Sequence, residues 1–237
     1  MTPTPIVTIS FFRFARWSAR AWALVMMGAA RFALPQVPGI GFWKLCGSGT
    51  GEGFTPVPNT AVYAVLATWP DAETAREQTR RAEIFQRYRA HADEDWTVIL
   101  ETVSARGAWS GQSFFPTGRT LSGPLAALTR ATVKPSVAAK FWSRVPDISR
   151  MIGADPNVAF KIGIGEVPLL HQVTFSIWPN TDAMARFARQ NGPHAAAIRA
   201  VRDGNWFSEE LYARFAILGE HGTWEGASPL DTLKVPA

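Results

Sequence analysis

The sequence predicts an α+β fold built by tandem duplication: two ferredoxin-like βαββαβ units in one chain, facing each other as an intrachain dimeric α/β-barrel-like fold. Three observations predict it. Segments match when the chain is slid along itself by about 110 positions. Each copy runs in the order strand, helix, strand, strand, helix, strand, read from period-two and helical apolar spacing. A Gly-, Ser- and Pro-rich stretch over 111–124 separates the copies.

The elements follow in order. In the first copy, 6–12 reads as a strand, 13–34 as a helix, 42–46 and 61–68 as strands, 71–92 as a helix and 96–103 as the closing strand. The second copy repeats this over 125–133, 136–151, 158–163, 172–177, 181–202 and 210–218. Alternation is clear in Val173, Phe175 and Ile177 against Thr174 and Ser176. Trp69-Pro70-Asp71 answers Trp178-Pro179-Asn180, and Asp71 and Asn180 are suited to cap the helices that follow. Phe42-Trp43-Lys44 answers Phe160-Lys161, Trp96 answers Trp206, and Trp109-Ser110-Gly111 answers Trp224-Glu225-Gly226. The expected organisation is a first repeat over 1–110, a linker over 111–124, a second repeat over 125–226 and a loose tail over 227–237. Each sheet keeps one face for its helices and turns the other toward its twin, so a small-molecule cleft is expected between the two sheets.

Composition bounds the function. At 237 residues and 47% apolar content the chain can bury a full core. The longest uncharged apolar run near the N-terminus, 21–30, is too short to span a bilayer. The arginine-bearing apolar stretch 13–30 reads as the first helix of the repeat rather than as a leader. A single cysteine, Cys46, excludes an internal disulfide. A cytoplasmic protein is expected, with a peripheral contact to the inner membrane left open. The net charge is +5, and residues 1–60 carry Arg13, Arg16, Arg20, Arg31 and Lys44 against Glu52 alone. Solvated helix faces explain this, or a basic surface that meets anionic lipid or an acidic redox partner. Trp17, Trp22, Val25 and Met26 beside the arginines would suit a membrane interface. No nucleic-acid-binding motif accompanies the charge.

Few residues carry chemistry. The glycine-rich 47–53 lacks the Gly-Lys-Ser/Thr ending of a phosphate loop, and Thr55, Pro56 and Pro58 follow where a dinucleotide turn needs a helix. It reads as a long hairpin connection or a lid over a pocket. Paired carboxylates, a Ser/His/Asp arrangement and a His-x-x-x-His zinc motif are not evident. Of four histidines, His91 and His221 read as exposed, and His171 begins a strand and could point inward. His194 follows the helix break Asn191-Gly192-Pro193 and heads Ala197, Ile198 and Val201 at helical spacing. It is either a satisfied core histidine or a ligand. Its counterpart in the first copy is Ile84 or Phe85, so a ligand role would mean one cofactor per chain.

The sequence resembles the spheroidene monooxygenase family of carotenoid 2-ketolases. The resemblance runs through Phe42-Trp43-Lys44 and 47–56, 127–134, 160–168, 172–179, Gly192-Pro193-His194 with 198–202, Asn205-Trp206-Phe207 and 209–215. It implies a haem-containing monooxygenase that takes electrons from reduced ferredoxin and uses O2 to oxidise an acyclic carotenoid at C-2 to the 2-keto product. It also carries the axial-ligand role to His194 as the metal-binding residue for the haem iron. Lys44, Lys161, Arg199 and Arg202 are candidate partners for the haem propionates by charge. The alternatives are a haem peroxidase or dehydratase acting on another apolar substrate, and a non-catalytic haem- or pigment-binding protein.

Overall fold

The computed structural model describes residues 6–51, 53, 55–143, 158–189 and 204–233. The first repeat contains β1 (Ile6–Arg13), α1 (Trp17–Ala33), β2 (Trp43–Gly49), β3 (Pro58–Trp69), α2 (Ala72–Arg81), α3 (Glu83–His91) and β4 (Glu94–Gly107). The second contains β5 (Leu125–Val133), α4 (Ala138–Trp142), β6 (Phe160–Gly165), β7 (His171–Trp178), α5 (Thr181–Arg189) and β8 (Phe207–Gly222). The expected helices over 136–151 and 181–202 extend beyond the described residues.

The eight strands close into one antiparallel barrel in the order β1-β3-β2-β6-β7-β5-β8-β4. This is two split βαβ units joined edge to edge, β2 to β6 and β4 to β8. Registers fix which residues correspond. Ile6 pairs with Trp69 and Glu101, and Leu125 pairs with Trp178 and Ala216, so Trp69 matches Trp178 and Glu101 matches Ala216. Trp109 and Trp224 then correspond, and each opens an isolated bridge, to Gln112 and to Ala227. Trp96 corresponds to Leu211 and not to Trp206, because the strand spacing between copies differs from the spacing of the tryptophans. The paired caps also match: Asp71 accepts from the Thr74 N–H at 2.7 Å and Asn180 from the Ala183 N–H at 2.8 Å.

Inside the barrel the side chains interlock. Phe11 stacks on Trp96 at 5.5 Å, and Phe160 stands edge-on to Trp96 at 4.7 Å, with Phe175 and Trp224 completing the group. The space between the sheets, where the sequence reading placed a cleft, is therefore packed core. Outside, α1, α2 and α3 of the first repeat pack in one cluster with Phe12, Phe14, Tyr63, Val65 and Trp69.

The expected helix over 71–92 is two helices. Ala82 is extended (φ −62°, ψ 136°), with neither glycine nor proline to signal it. The break is supported from a distance in sequence, since Arg89 donates to the Thr79 carbonyl at 2.7 Å and to the Arg80 carbonyl. His91 is exposed as expected, although its ring stacks on Trp22 at 3.8 Å.

His221, expected to be exposed, is half-buried, with Nε2 3.1 Å from Thr79 Oγ1. Burial, with the Arg80 and Arg89 cations nearby, pulls it down to about 4. In an unfolded chain an imidazole titrates near 6.5. Between these values the unfolded chain holds the extra proton, so stability falls as the pH falls from about 6.5 toward 4. His221→Gln should flatten that part of a plot of urea midpoint against pH.

Candidate functional site

Two neighbouring features converge where the repeats meet at the β2/β6 seam. The first is a cleft of about 270 Å³ on the outer side of the barrel. Its wall includes the corresponding pairs Tyr63 and Gln172, Gly47 and Gly165, and Ser48 and Glu166. The cleft therefore lies on the internal two-fold, with Leu24 and Met27 of α1 on one flank and Trp142 of α4 on the other. Trp142 is held there by donating Nε1 to the Leu169 carbonyl at 2.9 Å. Walls from both repeats were expected, but between the sheets rather than over their seam.

The glycine-rich connection borders this cleft. Ser48 Oγ donates to the Gly163 carbonyl at 2.8 Å. Gly53 sits at φ +89°, where a Cβ would lie 1.7 Å from that carbonyl oxygen, so only glycine fits. Of the two readings of 47–53, the described part is a hairpin connection seated on β6 that also walls the cleft. Its Glu52 and Phe54 lie outside the described residues.

Beneath the cleft floor is a charged cluster on the inward side of the barrel. Lys44 Nζ lies 2.8 Å from Glu166 and 2.7 Å from Ser110 Oγ. Trp109 Nε1 donates to Glu166 at 2.6 Å, and Arg130 pairs with Glu209 and lies 3.9 Å from Glu166. His171 Nδ1 is 3.4 Å from Glu166 without a hydrogen-bonding alignment, and Arg130 Nε is buried with no partner. Burial raises the Glu166 carboxyl, but the hydrogen bonds from Lys44 and Trp109 and the charges of Lys44 and His171 outweigh it, leaving the group below the usual carboxylate range. Glu209 is likewise low: burial opposes this, and the Gly111 and Ser110 N–H groups and Arg130 prevail. Cys46 lies in the same region, and burial, then the Glu166 charge, push its thiol far up, so it is an inert core residue. His171 does point inward, as one reading of its position allowed.

The second feature is the outer face of the second sheet. The registers pair each of its positions with one in the first repeat. Phe12 becomes Ala131, Leu45 becomes Gly163, Tyr63 becomes Gln172 and Val65 becomes Thr174. Trp43 becomes Lys161, and Ile99 becomes Arg214. All six first-repeat residues belong to the apolar layer that the sheet shares with α1, α2 and α3. Their counterparts are small, polar or cationic. Gln172 belongs to both the face and the cleft wall, so the two meet there.

Lys161, on β6, lies on this outer face by strand alternation. Lys44 lies on the inward face bound to Glu166, which removes it from the propionate candidates. His194, Arg199 and Arg202 lie outside the described residues. Sequence reasoning missed the ionic cluster. Its signal was present in Arg130, an arginine at an inward position of an apolar strand, and in Glu166 closing Gly163-Ile164-Gly165.

No family model matches the chain. It is 52% identical over 227 residues to a spheroidene monooxygenase of Cereibacter sphaeroides, covering 94% of this chain and 70% of that protein. It is 49% identical to one of Rhodobacter capsulatus, covering 95% of each, and 35% identical to one of Rubrivivax gelatinosus, covering 88% and 81%. Among solved structures the fold is similar to aldoxime dehydratase, with TM-score 0.58 at 10% identity over 90% of this chain and 81% of that one. An aldoxime dehydratase in complex with butyraldoxime gives TM-score 0.59 at 9% identity, covering 92% and 81%.

Proposed function

The chain belongs to the spheroidene monooxygenase family, and from that premise we propose that it is a haem-dependent monooxygenase oxidising an acyclic carotenoid of the spheroidene type at C-2. The net chemistry is two hydroxylations at one carbon. Each consumes one O2, two electrons from reduced ferredoxin and two protons, inserts one oxygen into a C–H bond and releases one water. The resulting geminal diol loses water to leave the 2-ketone.

The observation that carries the cofactor assignment is the asymmetry of the two outer faces. A sheet face covered by helices ordinarily carries large apolar residues, as the first repeat does. Where Ala131, Gly163 and Thr174 stand instead of Phe12, Leu45 and Val65, the covering helices cannot fill the layer with sheet side chains alone. A flat, largely apolar group suits that layer. Lys161 and Arg214, in place of Trp43 and Ile99, suit a group bearing carboxylates. The described face thus suits a haem, whose iron His194 would hold and whose propionates Lys161, Arg199 and Arg202 would meet. When bound, a haem supplies the redox centre at which O2 is activated.

The chain's own residues bind and shield. Leu24, Met27, Pro56, Pro58, Val167 and Leu169 give the seam cleft an apolar wall for one end of a polyene, and Trp142 narrows it. Glu166, His171 and the Tyr63 phenol are the ionisable groups of that wall. Glu166, tied to Lys44 and Trp109, stays ionised at neutral pH.

The purified protein titrated with haemin should show a saturable Soret band at one haem per chain. With ferredoxin, its reductase and O2 it should convert spheroidene to the 2-ketone. Absence of the band overturns the haem assignment, and a band without ketone leaves a dehydratase, a peroxidase or a pigment-binding protein. Ala131→Phe, which restores the side chain of the first repeat, should lower haem occupancy at least tenfold while the melting temperature of the apoprotein holds. Full occupancy in that variant would show that the face is not the cofactor layer.

A further inference from the structure

The outward face of α1 is apolar along its whole length. Trp17 is 82% exposed, Leu24 60%, Val25 67% and Phe32 83%, and Ala21 and Gly28 lie between them. The opposite face of the same helix, Ala19, Ala23, Met26 and Ala30, is buried against the sheet. A helix that is apolar all round belongs in an apolar surrounding on all sides. Half of this one has none among the described residues.

Trp22 and Met26, which the sequence reading assigned to a lipid-facing surface, face inward instead. Met26 is buried and Trp22 packs on Tyr88 and His91. The exposed stripe is Trp17, Leu24, Val25 and Phe32, about 22 Å long at 1.5 Å per residue.

Charge says what covers it. Arg16, Arg20 and Arg31 flank the stripe, and no acidic residue occurs in the first 51 positions. Arg20 and Arg31 spend their Nε groups on the Phe14 and Met27 carbonyls, and none of the three pairs with a carboxylate among the described residues. A second copy docked through the same stripe would bring six arginines together with no acid on the helix to offset them. An anionic bilayer surface supplies both the apolar layer and the neutralising charge. The apolar surface also continues past α1: Leu24 and Met27 line the seam cleft, and exposed Val167 and Leu169 line it too.

We propose that α1 is a membrane-docking helix, lying in the plane of an anionic lipid surface with Trp17, Leu24, Val25 and Phe32 inserted and the seam cleft opening toward the lipid. No helix among the described residues is long and apolar enough to cross a membrane.

The test needs neither substrate nor haem, so it stands or falls apart from the proposed reaction. The full chain is sedimented with vesicles of phosphatidylglycerol and phosphatidylcholine and with phosphatidylcholine alone. Binding should be at least tenfold stronger to the anionic vesicles and weaken between 0.1 and 0.5 M salt. The combined variant Trp17→Ser, Leu24→Ser, Val25→Ser and Phe32→Ser should lose at least tenfold in binding while its melting temperature holds, since these side chains are exposed. Arg16→Gln, Arg20→Gln and Arg31→Gln together should abolish the preference for anionic lipid. Wild-type protein left in the supernatant, or a serine variant that binds as well as wild type, overturns the proposal. So does a wild-type dimer in sedimentation velocity that the serine variant converts to monomer without any vesicle binding, since the stripe would then be an interface between copies.

Discussion

Replacing Glu166 by alanine should cost about 3–5 kcal/mol of unfolding free energy, the range for removing one partner of a buried ion pair. Arg130 has 2% of its side chain exposed and Lys44 17%, and both are arranged around this carboxylate. Without it, Arg130 keeps Glu209 as its carboxylate, Lys44 keeps Ser110 Oγ but no carboxylate among the described residues, and the Trp109 N–H is left unmatched. The cluster joins β2 of one repeat to β5, β8 and the β6/β7 turn of the other, so the loss falls on the contact between repeats. The pH dependence should change as well. A carboxyl held below its ordinary value contributes stability above about pH 4.3, and that contribution is lost as the pH falls through the folded-state value. Acid unfolding of Glu166→Ala should therefore be shallower below pH 4.3 than that of the wild type. Urea unfolding at pH 7 and pH 4 measures both effects, and a loss under 1 kcal/mol at pH 7 would mean that water screens the cluster.

Replacing His194 by alanine should remove the Soret band of the haem-loaded protein, or displace and weaken it, and lower turnover at least a hundredfold. The first repeat supplies the physical reason. Phe85 follows Trp69 by the same sixteen positions by which His194 follows Trp178. Phe85 is buried on the sheet-facing side of α3, 6.4 Å from the Trp69 ring. Under the proposed assignment His194 would meet the corresponding layer of the second sheet, which carries Ala131 and Gly163. Exogenous imidazole should restore the band to His194→Ala, an effect that a merely destabilised protein would not show. A variant with an unchanged band and unchanged turnover excludes His194 as ligand.

Particular elements show how far the sequence could be read. The strand over 125–133 and the capped helix starts at Asp71 and Asn180 were legible because period-two alternation and side-chain caps are local. β4 and β8 run past their expected ends, over Glu94–Gly107 and Phe207–Gly222. Residues 104–107 of β4 pair with 211–214, and 219–222 of β8 pair with 96–99, across the repeats, and that pairing leaves no pattern within either copy. The break at Ala82 was invisible for a similar reason, since Arg89 satisfies carbonyls released nine and ten residues earlier. Arg130 and Glu166 could be seen as charges in apolar surroundings, but not as neighbours.

The sequence by itself determined the duplicated α+β architecture and the two correspondences at Trp69/Trp178 and Trp109/Trp224, because spacing and residue type survive without coordinates. The tertiary structure alone decided that the barrel interior is closed by aromatic packing, that the shared cleft lies over the β2/β6 seam, and that the first helix turns Trp17 and Phe32 outward and Trp22 and Met26 inward. Those outcomes depend on which faces meet once the strands are in register. A helix that is apolar on every side, like a sheet with two apolar faces, does not say in its sequence which side is covered.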